Sequence, residues 1–438
     1  MKRFLLLLLC SFMLYAPTTG HTEAKSEYET AYKLYIAAGA SAAAYNDRTG
    51  ALASRYLQQD GWKINHYVQD QGHPGPRFLI ANKEGADGKD IYIVAIAGTE
   101  TTEDIKQNLK VEKVYFAGAA PEEFVANAAK KDVPDTQPKV HRGFNELWQA
   151  GPTAKLRKVS DVSLISLPDL LANNKDYTLY LTGHSLGGAA ATLAGAGLIS
   201  MGVNPEQIEV ITFGAPAVGN DAFSSQYEPV LNLTRVVIDG DPVTGVLQTI
   251  AGGYTQFGRE IKWTIPPTLD EPHKLVGYVD LAIKNYYDKR QQAINAGLEL
   301  PIEKIKPVDG VYIAALNNNL SGTPEKDFWY MREALWDEYR KKLPEYVIES
   351  EDNGGSWREK ALAAGSRWAI VPEVSSMTLK QEKNIYHVNL TQTVYEVASG
   401  AVVDVAIYSA ATYNLTPLEA FIHSLREMTS EQVIWLKK

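Results

Sequence analysis

Through the first 300 positions, apolar residues gather into short runs bounded by Gly, Pro, Asp and Asn. Lys63–Val68, Arg77–Asn82 and Ile91–Ala97 are such runs, parted by turn-forming stretches at Gln71–Pro76 and Glu84–Lys89, and they predict strands. The third, IYIVAIA, is apolar at almost every position, the pattern of a strand buried on both faces of a sheet that helices cover. Ahead of them, Ser26–Tyr45 carries Ala and Tyr at helix-compatible spacing and runs into the polar turn Asn46-Asp47-Arg48, which predicts the first helix. Downstream, the runs Tyr177–Thr182 and Glu209–Phe213 enclose an Ala-rich helix, Ala189–Met201. Strand, helix, strand is the unit of a doubly wound sheet. Leu233–Ile238 and Glu260–Ile265 continue the series, so this part of the chain is expected to close near Leu300.

Beyond Pro301 the pattern changes. Ile385–Val397 and Ala401–Ile407 read as a hairpin around Ala398-Ser399-Gly400, and two helices open on Thr-Pro pairs, Thr323-Pro324 and Thr416-Pro417. In the second, Thr416 and Glu419 stand at capping-box spacing, and Leu418, Phe421, Ile422 and Leu425 recur on one face. Each helix follows a short apolar strand, Val311–Leu316 or Val403–Ile407, which suggests a degenerate repeat. Five of the eight Trp residues lie in this part, and core packing is the expected use of its aromatic residues. The expected organisation is a leader over residues 1–24, a larger α/β domain over 25–300, and a smaller C-terminal α+β domain over 301–438.

Length agrees with two domains, since 438 residues exceed what one core usually serves. Lys2 and Arg3 precede an apolar run, Phe4–Tyr15, and small residues follow at Thr18, Gly20, Thr22 and Ala24, so the segment reads as a secretory signal and the product as exported. The run is far short of the ~20 residues that a membrane-spanning helix needs. Cys10, the one cysteine, lies inside this leader, which excludes disulfides and thiol chemistry from the remainder. A net charge of −9 with no long Lys/Arg run argues against a nucleic-acid partner. No metal-binding pattern such as H-E-x-x-H occurs, and neither a metal nor an organic cofactor is expected.

Chemistry concentrates where Leu179-Tyr180-Leu181-Thr182 runs into Gly183-His184-Ser185-Leu186-Gly187-Gly188 and the Ala-rich helix follows at once. A serine at a sharp strand-to-helix turn stands clear of the sheet, and Gly183 and Gly187 leave room for that turn. A serine hydroxyl is a weak nucleophile until a base takes its proton, and the base needs an acid to hold its tautomer. Asp241, in Asp239-Gly240-Asp241-Pro242 just past the strand Leu233–Ile238, is the favoured acid, with Asp239 as its rival. Only His273, His387 and His423 follow Asp241. His387 lies in a predicted strand of the other domain and His423 on the polar side of a helix, where a solvated surface role is expected. That leaves His273, on a loop before an apolar helix, as the base. The oxyanion of the tetrahedral intermediate requires N–H donors. Leu186, after the nucleophile, supplies one, and Thr99, in Gly98-Thr99-Glu100 at the end of the strand Ile91–Ala97, supplies the second.

Taken together, AIAGTE, VHRGF (Val140–Phe144), TGHSLGGAAATL, TFGAPAVGN (Thr212–Asn220), RVVIDGDPV and PHKLVGY resemble, in order and content, the class 3 lipase family typified by fungal triacylglycerol lipases. The likeness covers roughly Ser26 to Leu300. It implies an α/β-hydrolase fold with a mostly parallel central sheet, a triad of Ser185, Asp241 and His273, and an oxyanion hole at Thr99 and Leu186, with His141 and His184 structural. It also implies a lid between the oxyanion loop and VHRGF, here residues 101–139. Thr101–Tyr115 stands in the lid helix's place, and Ala117–Lys139, with a helix expected at Pro121–Lys131, is longer than the family's usual connection. The expected substrate is a lipid or other carboxylic ester, presented in solution or at an oil–water interface. Two readings compete: a phospholipase or feruloyl/polysaccharide-type esterase on the same scaffold, and an exported binding protein on a catalytically dead one.

Overall fold

The computed structural model describes residues 19–432 other than 46, 70–77, 86, 99–111, 151–154, 162, 173–175, 251, 266–268, 270, 299–309, 343–345, 350–353 and 379–384. Most of the leader, Thr99, the lid-helix segment through Val111 and the Leu300 boundary therefore lie outside the described residues.

Among the described residues, nine strands form the first sheet: β1 (Lys63–Gln69), β2 (Phe78–Glu84), β3 (Asp90–Ile96), β6 (Leu156–Lys158), β7 (Leu164–Ile165), β8 (Tyr177–His184), β9 (Ile208–Phe213), β10 (Asn232–Ile238) and β11 (Arg259–Trp263). Two short strands, β4 (Lys113–Tyr115) and β5 (Lys139–His141), pair beside it. The order is β11-β10-β9-β8-β3-β2-β1-β6-β7; the strands from β11 to β3 run parallel, and the remaining pairings are antiparallel. Helices α1 (Thr19–Ala43), α2 (Arg48–Gln59), α3 (Pro121–Ala128), α4 (Arg142–Ala150), α5 (Leu167–Ala172), α6 (Leu186–Ser200), α7 (Asp221–Tyr227), α8 (Val246–Ile250) and α9 (Leu275–Asn295) surround it. This is the α/β-hydrolase architecture.

Helix α6 is apolar around its whole circumference, so it must be enclosed, and Gly187 through Leu198 are all buried. Its small residues let it lie close to the sheet. A Cβ on Gly197 would come within 2.4 Å of Trp148, whose ring fills that groove from α4. The opposite sheet face is covered by α1 and α9, with Leu34, Ala37, Ala38, Tyr278 and Ala282 packed on Ile211, Phe213, Val236 and Ile238. Register then decides what meets at the sheet's rim. Ile96 of β3 pairs with Gly183 of β8, His184 with Phe213 of β9, and Phe213 with Val236 of β10, so the loops leaving these strands emerge side by side.

A second sheet contains β12 (Val311–Ile313), β13 (Asn317–Asn319), β14 (Tyr346–Ile348), β15 (Trp368–Thr378), β16 (Tyr386–Glu396) and β17 (Val402–Ala411). With it are helices α10 (Phe328–Lys342), α11 (Trp357–Ala363) and α12 (Pro417–Gln432). Its core joins Ile370, Val374, Val388, Leu390 and Val394 of the sheet to Met331, Leu335, Phe421 and Leu425 of α10 and α12. The strand-then-helix pattern recurs, but with different pairing: β12 is a three-residue strand parallel to β14 and β15, whereas β17 is a ten-residue antiparallel edge.

The capping box forms as its spacing predicts. The Thr416 N–H donates to Glu419 Oε2 at 2.9 Å and the Glu419 N–H to Thr416 Oγ1 at 3.3 Å. It is buried against α9, where Thr416 Oγ1 donates to Asp280 Oδ1 at 2.6 Å. Lys284 of α9 answers two carboxylates, Asp280 at 2.9 Å and Asp327 at 2.7 Å. Two carboxylates thus share one ammonium, and Glu419 lies beside them without an ion pair of its own to it. Burial and the nearby Asp280 push Glu419 up to about 8. The folded protein therefore holds a proton that the unfolded chain releases near the usual Glu value, so this contribution is complete at pH below that value and is lost as pH rises to about 8. Urea unfolding is expected to show stability falling by on the order of a few kcal/mol between pH 5 and 9. Glu419→Gln, which keeps a capping acceptor, should flatten that slope, and an unchanged slope would remove Glu419 as its cause.

Candidate active site

Ser185 stands at the junction of β8 and α6 with φ 57° and ψ −127°, one of two non-glycine residues with positive φ among those described. Such a backbone is strained and persists only where its surroundings impose it. They do so here through close approach: a Cβ on Gly187 would lie 2.0 Å from the Ile96 carbonyl oxygen, and one on Gly183 would lie 2.4 Å from the Gly187 carbonyl carbon. The Ser185 N–H donates to the Phe213 carbonyl at 2.9 Å, tying the turn to the next strand. Leu186 opens α6, so its N–H is among the donors a helix leaves unpaired at its start, where the helix dipole also favours negative charge.

The rim brings three distant side chains together. Ser185 Oγ lies 3.0 Å from His273 Nε2. His273 Nδ1 lies 2.9 Å from both oxygens of Asp241. Since a carboxylate only accepts, Nδ1 carries the proton, and Nε2 is left to accept from the serine. The acid is held as firmly as the base: Asp241 Oδ1 accepts from the Val243 N–H at 2.9 Å, and Oδ2 from the Tyr278 hydroxyl at 2.6 Å. That hydroxyl in turn accepts from the Ile238 N–H at 3.1 Å. Burial and the adjoining Asp241 raise the Tyr278 phenol far above its ordinary range, so it stays a donor. Tyr278 lies within the PHKLVGY segment, yet its bond to Asp241 has no sequence signal beyond its place in an apolar helix.

The rival acid is elsewhere. Asp239 is exposed and paired with Lys262 at 2.8 Å, out on the β10–β11 side. His387 lies in β16 as expected. His423 corrects the expectation of a solvated surface role: it is half-buried, bonded through Nδ1 to the Tyr56 hydroxyl, because the polar side of α12 faces α2 instead of water. Burial lowers its basicity. His141 is buried against Phe144, its Nδ1 accepting the N–H of Gly143 at 3.1 Å. His184 is also enclosed, and its Nε2–H donates to the His273 carbonyl at 2.7 Å. Ser185 itself is fully enclosed. Among the described residues no cluster of three or more His, Cys, Asp or Glu is arranged to hold a metal ion. No described helix is long and apolar enough to cross a membrane.

Chemically, an alcohol with a base in contact, and that base locked in one tautomer by a carboxylate, is equipped to attack a carbonyl carbon. Residues 93–249 match the family described as lipase (class 3). A lipase of Caenorhabditis elegans is 43% identical over 101 residues, 23% of this chain and 27% of the relative. A phospholipase A1-II of Oryza sativa subsp. japonica is 35% identical over 215 residues, 43% of this chain and 51% of the relative. The matches thus span about a quarter to a half of these relatives. Among solved structures, a lipase from Rhizopus microsporus var. chinensis overlays with a TM-score of 0.38 at 24% identity, over 53% of this chain and 74% of that one.

Proposed function

We propose, from the premise that residues 93–249 are those of a class 3 lipase, that this chain is an exported serine hydrolase cleaving carboxylic esters, lipid esters foremost. The observation that carries the reading is the unbroken hydrogen-bonded series from Ser185 through His273 to Asp241, at 3.0 and 2.9 Å. Ser185 Oγ attacks the ester carbonyl as His273 Nε2 takes its proton. The oxyanion accepts from the Leu186 N–H and from that of Thr99. His273 then protonates the departing alcohol, leaving an acyl group on Ser185. Water repeats the sequence with His273 as base, releasing the carboxylic acid and restoring the serine. The sequence of steps calls on no cofactor. Residues 25–300 carry this chemistry, residues 101–139 form its lid, and 301–438 form a second domain. The leader, with Lys2 and Arg3 before the apolar run Phe4–Tyr15, supports export.

A phospholipase A1 reading has its own support in the 35% identity to the rice enzyme over 215 residues. The full chain, assayed on emulsified triglyceride, phosphatidylcholine vesicles and a feruloyl ester, separates the readings. Turnover of glyceride above the other two is expected. Cleavage confined to phospholipid would move the assignment to the second reading, and cleavage of the feruloyl ester alone would overturn both. Labelling of Ser185 by a fluorophosphonate excludes a catalytically dead scaffold, which would leave that serine unmodified.

A further inference from the structure

Two residues beside the triad belong to neither the nucleophile nor its acid, yet join its parts. His184 precedes the nucleophile and lies wholly inside, its ring 4.7 Å from that of His273. Its Nε2 is 2.7 Å from the His273 carbonyl oxygen, which can only accept, so Nε2 carries hydrogen. Its Nδ1 faces the Tyr45 hydroxyl at 3.5 Å. That hydroxyl, just past the end of α1, accepts the N–H of Gly98 at 3.1 Å. All the bonds then point one way: Gly98 N–H to Tyr45 oxygen, Tyr45 O–H to His184 Nδ1, His184 Nε2–H to the His273 carbonyl. Gly98 lies two residues past the end of β3 and immediately before Thr99, and it presses on the same turn, since a Cβ there would lie 2.7 Å from the His184 carbonyl oxygen.

We propose that Tyr45 and His184 are positioning residues that couple the loop carrying the base to the strand end carrying the oxyanion donor, so that both are held in register with Ser185. The proposal rests on the hydrolase reading above. It requires a neutral His184, because a proton on Nδ1 would reverse the bond to Tyr45 and break the direction of the series. Burial, reinforced by the His273 imidazole, holds His184 well below the usual imidazole range, and among the described residues no titratable side chain other than Tyr45 bonds to its ring. The cationic charge that develops on His273 during turnover therefore faces a neutral ring at 4.7 Å. Tyr45 links this machinery to α1, which is held to the sheet by the Ser41–Thr182 hydroxyl pair at 3.0 Å and by Lys33–Glu209 at 2.7 Å.

The test is steady-state hydrolysis of p-nitrophenyl butyrate by the full chain, with kcat referred to active sites counted by fluorophosphonate titration. Tyr45→Phe keeps the ring and removes one bridging hydroxyl; kcat should fall about 3–10-fold. KM should stay within about twofold, because positioning acts on the transition state more than on ground-state binding. His184→Phe removes both bonds and should cost roughly 10–100-fold, the scale known for loss of a partner that orients a metal-bound imidazole. His184→Gln, which can return a donor to the His273 carbonyl, should recover part of that loss. Tyr45→Phe should cost less on the His184→Phe background than alone, since the bond to His184 is already gone there and only the one from the Gly98 N–H remains to be lost. Full activity in Tyr45→Phe would overturn the proposal, as would strictly additive losses or losses accounted for by fewer titratable sites. Should His184→Phe not fold, Tyr45→Phe and His184→Gln still decide it. Hydrolysis persisting in Ser185→Ala would instead sink the hydrolase reading itself.

Discussion

Ser185→Ala is expected to lower kcat by about 10⁶, the scale of nucleophile loss in a triad enzyme. Ser185 Oγ is the atom that His273 Nε2 contacts at 3.0 Å, and the alanine offers the base no proton to take. The residual rate should be that of water attacking a carbonyl bound beside the oxyanion donors, about 10³–10⁴ above the uncatalysed reaction. Stability should hardly change. Serine and alanine bear the same penalty at φ 57°, and the packing that imposes that angle comes from Gly183, Gly187 and Ile96. A folded Ser185→Ala protein with undiminished turnover of p-nitrophenyl butyrate would discard the nucleophile.

Asp241→Asn is expected to lower kcat by about 10⁴ with little loss of structure. A carboxylate accepts from Nδ1 and so leaves Nε2 free to accept from the serine. An amide turned with its nitrogen toward His273 would favour the other tautomer, with hydrogen on Nε2, where it faces the serine it should deprotonate. The neighbours encourage that turn. The Tyr278 hydroxyl and the Val243 N–H both donate to Asp241, and an amide has only one oxygen with which to answer them. Asp239→Asn is the matched control. Its side chain is exposed and paired with Lys262, so kcat and stability should stay near wild type, within about 0.5 kcal/mol. Equal damage from the two substitutions would show that loop integrity, not the carboxylate beside His273, is being measured.

Much of this arrangement was legible because it is local. The strand into Gly183, the turn at Ser185 and the helix after it are contiguous, and each is announced by its own composition, so their bounds moved by only a few residues between reading and structure. The same holds for the box at Thr416 and Glu419, which spans a single turn. The strand Trp368–Thr378 escaped notice because Pro372 and the Ser375-Ser376 pair break its pattern. The structure accommodates the proline at the gap between the stretch paired with β12, ending at Ile370, and the stretch paired with β13, starting at Glu373, where the missing N–H costs the ladder least.

Sequence alone determined the order of the strands along the chain, the placement of a strained serine between glycines, and a short set of downstream acids and histidines, because these follow from steric freedom and apolar periodicity over a few residues. Only the tertiary structure decided which of them touch. It set Asp241 against His273 while sending Asp239 out to Lys262, folded the polar side of α12 onto Tyr56, and brought Tyr278 and Tyr45 to groups far from them in the chain. Strand register and helix packing choose those partners, and both depend on how buried surfaces fit across the whole molecule, which no local window of sequence contains.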